Sequence, residues 1–229
     1  MKKRTYLIVM LIALTTYYAK AQKMDFSKYK LIFEKKEISI LQLDSIRKIH
    51  EYLTFMKNES VSPPTLTIIP VKKDEVEKRS AELKALNNLF LNKPVPDFSY
   101  TDINGNKGSA KSLKGKIIVM NFWFTQCAPC VMEIPDLNKL VEKYKEKDVV
   151  FISFALDKPD VIKEFFSEHP FDYTAVADSR ELAMDTFKVS SFPTHLIVNK
   201  EGVITFRASG LGENTIKQLS LEIDALAKK

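Results

Sequence analysis

Cys127 and Cys130 are the only cysteines in the 229-residue chain, and they lie three positions apart. Such a C-x-x-C pair can exchange disulfides, because the first thiolate attacks a disulfide of another molecule and the second thiol resolves the mixed disulfide. A bridge between them would close a very short loop, and the stabilising effect of a bridge grows with the length of the loop that it closes. The pair is therefore predicted to do redox chemistry.

The sequence around the pair predicts where it lies in the fold. Residues 117–124 form a continuous apolar run rich in β-branched and aromatic residues, which is typical of a strand buried on both faces. Residues 129–144 have apolar positions at helical spacing, interrupted by Pro135. The pair is thus predicted at a helix start, where free backbone N–H groups and the helix dipole favour a thiolate. We expect Cys127 to be the nucleophile and Cys130 the more buried resolving thiol.

Other chemistries of a cysteine pair fit the sequence less well. Attachment of haem requires a histidine directly after the second cysteine, where Val131 stands. A closed zinc site needs two further ligands, and His50, His169 and His195 show no paired spacing. Two thiolates and one histidine could bind Cu(I), so a copper-binding thiol chaperone remains the alternative function. His195 itself is predicted to be a packed or surface histidine.

Strands and helices alternate along the chain after residue 96. The predicted strands are residues 98–101, 117–124, 149–156, 194–198 and 203–208, and the predicted helices are 129–144, 159–169, 180–187 and 213–227. This alternation predicts an α/β domain whose central strands are parallel, with a hairpin at its C-terminal end.

A different pattern precedes residues 92–96, where two prolines favour extended backbone and separate two regions. Apolar residues between Ile38 and Met56 recur at roughly helical spacing, residues 61–71 form a proline-bounded extended segment, and residues 76–91 form a second amphipathic pattern. The sequence thus predicts a mainly helical N-terminal region, residues 22–92, of unknown role, and a second domain over residues 93–229.

Residues 1–21 have the composition of a secretory signal peptide. Lysines and an arginine occupy positions 2–4, an apolar stretch covers residues 6–18, and Ala-Lys-Ala at 19–21 forms an A-x-A cleavage site. The apolar stretch is short for a membrane-spanning helix, which needs about 20 residues. We expect export and cleavage, with an uncleaved anchor as the alternative.

The net charge of the chain comes mainly from this first segment. Removal of residues 1–21 takes away four basic residues and no acidic one, so the formal net charge falls from +6 to +2. The basic isoelectric point is therefore weak support for a nucleic-acid partner, and none is predicted.

Several segments of the chain resemble the thioredoxin superfamily. Residues 121–130, Asn-Phe-Trp-Phe-Thr-Gln-Cys-Ala-Pro-Cys, resemble its active-site stretch, and residues 189–194 resemble the loop that carries its cis-proline, here Pro193. Residues 93–98 and 113–116 resemble segments of the exported TlpA/ResA-like branch, and Pro135 matches the helix-kinking proline. The resemblance covers residues 93–228 and implies a thioredoxin fold, with a central mixed sheet flanked by helices.

This resemblance also implies roles for residues near the cysteines. Pro193 is expected to face the pair and to expose backbone groups to a substrate, while Glu133 matches an active-site glutamate of the branch and is hypothesised to relay protons. Asn121 stands where cytosolic thioredoxins have a buried aspartate. Expected contacts with substrate are made by Trp123, Gln126, Ala128, Pro129 and Phe192.

The resemblance implies disulfide exchange with exported protein thiols and disulfides and favours the reductase direction. Cytochrome c apoproteins before haem attachment are one candidate substrate, and a membrane thiol protein is the expected electron donor. No cofactor is expected, and the expected location is the periplasm or the outer face of the cytoplasmic membrane of a bacterium. A peroxidase would, by resemblance to peroxiredoxins, need Thr or Ser where Phe124 stands.

Overall fold

The computed structural model describes residues 10–13, 28–58, 61–210 and 214–228. The chain divides into two compact units, Met1–Glu82 and Leu83–Lys229, and this division lies earlier in the chain than the predicted boundary at residues 92–93. Of the predicted signal peptide, only Met10–Ala13 is among the described residues, as a short strand.

The described residues of the first unit form a five-stranded sheet and one complete helix. The sheet has the order β1-β4-β5-β2-β3, in which β2 and β5 are parallel and the other pairs antiparallel. The elements are β1 Met10–Ala13, β2 Lys30–Phe33, β3 Lys36–Ile38, α1 Ile40–Ile49, β4 Tyr52–Asn58 and β5 Thr65–Pro70. Its buried core is Leu31, Leu43, Leu53, Phe55, Leu66 and Ile68.

The prediction of a mainly helical N-terminal region missed this sheet. Helix α1 begins after Ser39, whose hydroxyl and backbone form a capping box with Gln42, and it ends at Ile49. Leu53 and Met56, which continued the apparent helical spacing, lie in β4. The aromatic and β-branched residues of this segment favour a strand, and its alternate residues Leu53 and Phe55 pack in the same core.

The second unit is built on a mixed sheet with the order β10-β9-β8-β11-β12. Strands β8, β9 and β10 are parallel, whereas β11 is antiparallel to both β8 and β12. The elements are β8 Ile117–Trp123, β9 Val149–Ala155, β10 Thr174–Val176, β11 Thr194–Val198 and β12 Ile204–Ser209, preceded by a hairpin of β6 Ser99–Thr101 and β7 Lys107–Ser109. The predicted α/β domain with parallel central strands and a C-terminal hairpin is confirmed.

Helices pack against this sheet and connect its strands. They are α2 Lys73–Phe90, which runs from the first unit into the second, α3 Ala128–Lys143, α4 Pro159–Glu168 and α5 Thr215–Ala227. The segment predicted as a short helix over residues 180–187 contains a π-helix, Leu182–Thr186. Among the described residues, none of the helices has the length and apolarity needed to cross a membrane.

The last turns of α2, which belong to the second unit, hold Arg207 of β12. Arg207 Nε donates a hydrogen bond to Asn87 Oδ1 at 3.2 Å, and its guanidinium lies 4.5 Å from the ring centre of Phe90. Its Nη1 donates to the carbonyl of Phe187 at 2.8 Å. Because these partners are neutral, burial lowers the pKa of Arg207 to about 10.

Alternating side chains of the central strands divide the core into two layers. On β8, Ile117, Val119 and Trp123 pack in one layer with α3 and α5, and we call this side of the sheet the α3 face. Ile118, Met120 and Phe122 pack in the other layer, which we call the opposite face. The period of two along a strand places Asn121 on the α3 face, directly under the helix that begins at the cysteines.

Candidate functional site

The two cysteines form a disulfide at the N-terminus of α3, with their Cα atoms 5.2 Å apart. Cys127 is the N-cap residue, and its carbonyl accepts the first helical hydrogen bond from Val131 N–H at 3.0 Å. Pro129 lies in the first helical turn, where a missing N–H costs nothing. The pair therefore follows a buried strand and begins a helix, as the sequence predicts.

Both sulfur-bearing side chains are buried, with exposed fractions of 3% for Cys127 and 2% for Cys130. The predicted difference in burial between them is absent from this disulfide-bonded form. The asymmetry instead lies in the helix, because Cys127 is at the N-cap and Cys130 is within the first turn. Free N–H groups of that turn favour negative charge on the sulfur of Cys127.

Asp157 holds the loop that leads into the cysteines, a role that the sequence analysis missed. Its Oδ2 accepts a hydrogen bond from Thr125 N–H at 2.7 Å, across 32 residues of sequence. Beside it, Leu156 N–H donates to the carbonyl of Trp123 at 3.1 Å and extends the pairing of β8 with β9. An acidic residue directly after an apolar strand is the only signal in the sequence that could have indicated this contact.

The loop before β11 lies against the segment that leads into the cysteines. Its Phe192–Pro193 peptide bond is cis, as the resemblance implied. The ring of Phe192 packs edge-on against Phe124 with centroids 5.4 Å apart. On the other side of the loop, the Pro193 carbonyl accepts a hydrogen bond from Gly210 N–H at 2.7 Å. The Phe124–Phe192 contact therefore joins the two segments that the resemblance assigned to one active site.

Glu133, on α3 one turn after Cys130, is buried, with 5% of its surface exposed. Its carboxylate accepts a hydrogen bond from Asn121 Nδ2 at 3.1 Å and lies 3.0 Å from His195 Nε2. His195 Nδ1 in turn lies 3.2 Å from Asn121 Nδ2. Asn121, Glu133 and His195 thus form a closed hydrogen-bonded network within the α3 face, and we call it the buried network.

Strand register explains why these side chains meet. Asn121 of β8 lies opposite His195 of β11, and on its other side it lies opposite Ser153 of β9. Residues paired across neighbouring strands point to the same face, so these three side chains form a polar row across the sheet. Glu133 reaches this row from α3. His195, predicted to be a packed or surface histidine, is packed, with no exposed surface.

Tyr173 is a buried phenol on the same face of the sheet, and it packs in the same layer as both cysteines. Burial raises the pKa of Tyr173 well above 10, and the negative charge of Glu133 acts in the same direction. The hydroxyl groups of Tyr173 and Ser153 have no hydrogen-bond partner among the described residues. Tyr173 is therefore a neutral phenol over the whole physiological pH range.

The residues predicted to contact substrate fall into two groups. Gln126 and Ala128, on either side of Cys127, are exposed, and Phe192 is half-buried, whereas Pro129 is buried. Trp123 is a correction, because only 1% of its surface is exposed. Its ring is enclosed by aromatic rings from α4 and the loop that follows, namely Phe165, Phe166 and Phe171. It therefore packs in the core and offers no surface to a substrate.

The described side chains around the cysteines do not form a metal site. Within the described ranges, no group of three or more His, Cys, Asp and Glu side chains has the spacing to hold a metal ion. The nearest approach of a histidine to a carboxylate here is the contact of His195 with Glu133, in which both side chains are already hydrogen-bonded.

A mixed sheet, a cysteine pair at a helix N-terminus and a cis-proline loop beside it define a thioredoxin fold with a redox dithiol. Residues 91–207 match the AhpC/TSA family, and the chain belongs to that family. The match includes the cysteine pair, the cis-proline and all three members of the buried network.

Curated relatives extend this assignment to an activity. The thiol-disulfide oxidoreductase ResA of Bacillus anthracis is 35% identical over 130 residues, which cover 56% of this chain and 74% of the relative. The thioredoxin-like protein YneN of Bacillus subtilis is 32% identical over 133 residues, which cover 57% and 76%. The chain is a thiol-disulfide oxidoreductase of the ResA/TlpA-like group of the thioredoxin superfamily.

Solved structures agree on the fold. A putative thiol:disulfide interchange protein DsbE from Chlorobium tepidum aligns with a TM-score of 0.56 at 22% identity, covering 60% of this chain and 97% of that one. A putative thioredoxin from Neisseria meningitidis aligns with a TM-score of 0.53 at 27% identity, covering 59% and 90%.

Proposed function

We propose that this oxidoreductase reduces disulfides of exported proteins through Cys127 and Cys130. The observation that supports this most directly is the Cys127–Cys130 disulfide at the N-terminus of α3, joined through Phe124 and Phe192 to the cis-proline loop. The disulfide is the product state of the enzyme in a reductive cycle, and the helix start favours the thiolate that begins the next cycle.

The cycle has two exchange steps. In the first, the Cys127 thiolate attacks a substrate disulfide, forms a mixed disulfide and releases one substrate sulfur, which takes up a proton. In the second, Cys130 loses its proton and attacks the sulfur of Cys127, so that the second substrate sulfur leaves. Two electrons pass to the substrate, which gains two thiols, and the enzyme regains its disulfide. The oxidase direction uses the same steps in reverse.

The surface around Cys127 is suited to a protein substrate. Gln126 and Ala128 are exposed on either side of it, and Phe192 presents a half-buried aromatic ring beside the cis-proline. An extended substrate segment could contact these side chains while its sulfur approaches the helix N-terminus. We propose that Gln126, Ala128 and Phe192 contact the substrate, with Pro193 and Pro129 shaping the surface beneath.

Export and the electron source follow from the same proposal. The composition of residues 1–21 supports secretion to the periplasm or to the outer face of a bacterial cytoplasmic membrane. An exported reductase has no access to cytosolic reductants, so it needs a membrane thiol protein as its electron donor. Resemblance to the TlpA/ResA-like branch supports cytochrome c apoproteins before haem attachment as a candidate substrate.

Trapping of mixed disulfides tests the proposed division of labour. Cys130→Ser should accumulate mixed disulfides through Cys127, because the resolving thiol is missing. Cys127→Ser is the matched control and should accumulate few. Non-reducing electrophoresis with mass spectrometry measures both and identifies the trapped proteins. Equal trapping by the two variants would contradict the roles assigned here.

Redox titration of the dithiol tests the direction. A reduction potential near about −270 mV, in the range of thioredoxin, supports reduction, whereas a value near about −120 mV, as in strongly oxidising relatives of this fold, would contradict it. The difference is decisive because about 30 mV corresponds to 1.4 kcal/mol for a two-electron couple.

A copper-binding thiol chaperone on the same fold remains the second candidate, because two thiolates are good ligands for Cu(I). Titration of the reduced protein with cuprous ion separates the two functions. Tight stoichiometric binding without any disulfide exchange would favour the chaperone. Exchange activity with weak binding of copper supports the oxidoreductase.

A further inference from the structure

The buried network contains a titratable pair that the exchange steps above do not use. His195 has no exposed surface and the side chain of Glu133 is 4% exposed, with 3.0 Å between Nε2 and the carboxylate. Glu133 lies three residues after Cys130 on α3, so both side chains occupy the same side of that helix. A buried carboxylate in such a place needs donors, and the network supplies them.

Hydrogen bonding assigns the protons within the network. The carboxylate of Glu133 can only accept, so the Asn121 group beside it is the amide nitrogen, which has two hydrogens to donate. Its second hydrogen points to His195 Nδ1, which must then be an acceptor. Nε2 of His195 therefore carries the ring proton and donates it to Glu133. All donors and acceptors are satisfied with a neutral imidazole and an ionised carboxylate.

Few other groups on this face could share the charge. Among the described residues, the titratable side chains that pack in the same layer are the thiols of Cys127 and Cys130 and the phenols of Tyr173 and Tyr144. Tyr144 follows the last turn of α3, and its hydroxyl donates a hydrogen bond to Asp224. The charge of Glu133 and burial both keep Tyr173 protonated. From the neighbouring strands, Ser153 and Asn121 contribute polar but non-titratable groups.

We propose that His195 is a positioning residue for Glu133: its Nε2–H donates to the carboxylate and favours the ionised form, so that Glu133 can accept the proton of Cys130. This inference rests on the proposed disulfide exchange and adds His195 to it. Asn121 fixes the tautomer of His195, so that its Nε2 proton always faces the carboxylate.

The proton balance of the resolving step follows. The Cys130 thiol gives its proton to Glu133, whose charge changes from −1 to zero, and the thiolate then attacks the Cys127 sulfur of the mixed disulfide. The substrate sulfur leaves with the electron pair of the broken S–S bond. When the enzyme disulfide is next reduced, Glu133 returns the proton to the departing Cys130 thiolate. His195 keeps its ring proton throughout, and its hydrogen bond from Nε2 favours the ionised form of Glu133 between turnovers.

His195→Leu tests this proposal, because leucine fills part of the same space but has no hydrogen-bond donor, and His195→Gln is the conservative variant that keeps an amide donor near the carboxylate. The reduced protein is mixed with one equivalent of a chromogenic aryl disulfide, and stopped-flow absorbance resolves attack by Cys127 from the later release caused by Cys130. In the wild type the second phase should accelerate with pH as Glu133 loses its proton. In His195→Leu the midpoint of this rise should move to higher pH by about one unit, because the carboxylate loses a hydrogen bond that favours its ionised form. His195→Gln should keep the midpoint close to that of the wild type.

Two variants serve as controls for this measurement. His169→Gln changes an exposed histidine that stacks on Phe165, outside the network, and should leave the second phase unchanged. Glu133→Gln should slow the second phase about 100-fold, as loss of a general base does. In the double variant of Glu133→Gln with His195→Leu, the effect of the histidine substitution should disappear, because it acts through the carboxylate.

An unchanged pH profile in folded His195→Leu would overturn the proposal and leave His195 with a packing role only. If the variant does not fold, the wild type provides the test. The NMR chemical shifts of the His195 ring should then differ between the reduced and the disulfide form of the dithiol. Chemical shifts that are the same in both redox forms would also overturn the proposal. Absence of both kinetic phases in the wild type would instead contradict the proposed exchange function.

Discussion

On β8 and β9, side chains that point to the opposite face are all apolar, whereas those that point to the α3 face include the polar row. The opposite face carries Ile118, Met120 and Phe122 of β8 and Phe154 of β9 in a continuous layer. The α3 face of the same strands carries Asn121 of β8 and Ser153 of β9, which form the polar row together with His195 of β11. Strand pairing is common to both faces, so the difference lies in the side chains alone.

This contrast separates stability from chemistry within a single sheet. Apolar burial on the opposite face contributes roughly 25 cal/mol per Å² of area removed from water, with no polar group to satisfy. The buried network on the α3 face needs every partner, because an unpaired buried carboxylate is far more costly than a lost apolar contact. Substitutions on the two faces should therefore have effects of different kinds.

Removal of an aromatic ring from the opposite face should give the largest loss of stability. Phe154 contacts Phe122, Phe98 and Tyr100, with ring centroids 5.2 to 6.2 Å apart. Phe154→Ala should lower the free energy of unfolding by about 3–5 kcal/mol, the usual cost of a cavity of this size. Urea denaturation measures this. The reduction potential of the folded protein should stay unchanged, and a large shift in it would break the separation of the two faces.

A second carboxylate in the buried network should make stability depend on pH. In Asn121→Asp, repulsion from Glu133 raises the pKa of the introduced carboxyl above its unfolded value of about 4. A carboxyl whose pKa is raised on folding stabilises the protein below its unfolded pKa, and that contribution is lost as the pH rises.

The free energy of unfolding of Asn121→Asp should therefore fall relative to wild type from about pH 4 upward, by at most about 1.4 kcal/mol per pH unit. Chemical denaturation across pH 4 to 8 checks this. The control is Asn88→Asp on an exposed position of α2, which should follow the wild type. Parallel curves for all three proteins would contradict the close approach of residues 121 and 133.

Tyr173→Phe should have a smaller effect that appears only at alkaline pH. Because burial and the charge of Glu133 raise the pKa of Tyr173, the folded state holds the phenolic proton more tightly than the unfolded chain does. Wild-type stability should therefore fall as the pH rises above about 10, where the unfolded phenol ionises. The variant should lose that part of the slope. A slope identical to that of the wild type would show that another group titrates.

Ser153→Ala should have the smallest effect. The hydroxyl is buried without a hydrogen-bond partner among the described residues, so its removal takes away a desolvated polar group and no contact in the network. We expect a change in the free energy of unfolding of less than about 1 kcal/mol, in the stabilising direction. A marked slowing of Cys130 resolution in this variant would make Ser153 a member of the buried network.

Much of the second unit was predictable because its strands are continuous apolar runs and its helices keep their spacing. Strand β10 was missed because Thr174–Val176 is only three residues long. In the first unit, apolar spacing across α1 and β4 imitated one longer helix, and only pairing with β5 showed the strand. Local periodicity therefore failed where two short elements follow each other closely.

The site was predictable to the extent that its residues are close in sequence or carried by the resemblance. The position of the cysteine pair at a helix start and the cis peptide bond before Pro193 were predicted in this way. The partnership of Asn121 with His195 was not, because 74 residues separate them and only the antiparallel register of β8 and β11 brings them together. Contacts between side chains on strands that are distant in sequence depend on the pairing register of those strands, which cannot be read from a single sequence.

Arg207 has a practical consequence for how much of the chain is needed to carry the activity. A shortened protein that begins at Lys93 would lose Asn87 and Phe90, and the guanidinium would then lack its amide acceptor and its stacked ring. The shortest form of this enzyme that keeps these contacts should therefore begin at or before Leu83, so that it retains the end of α2.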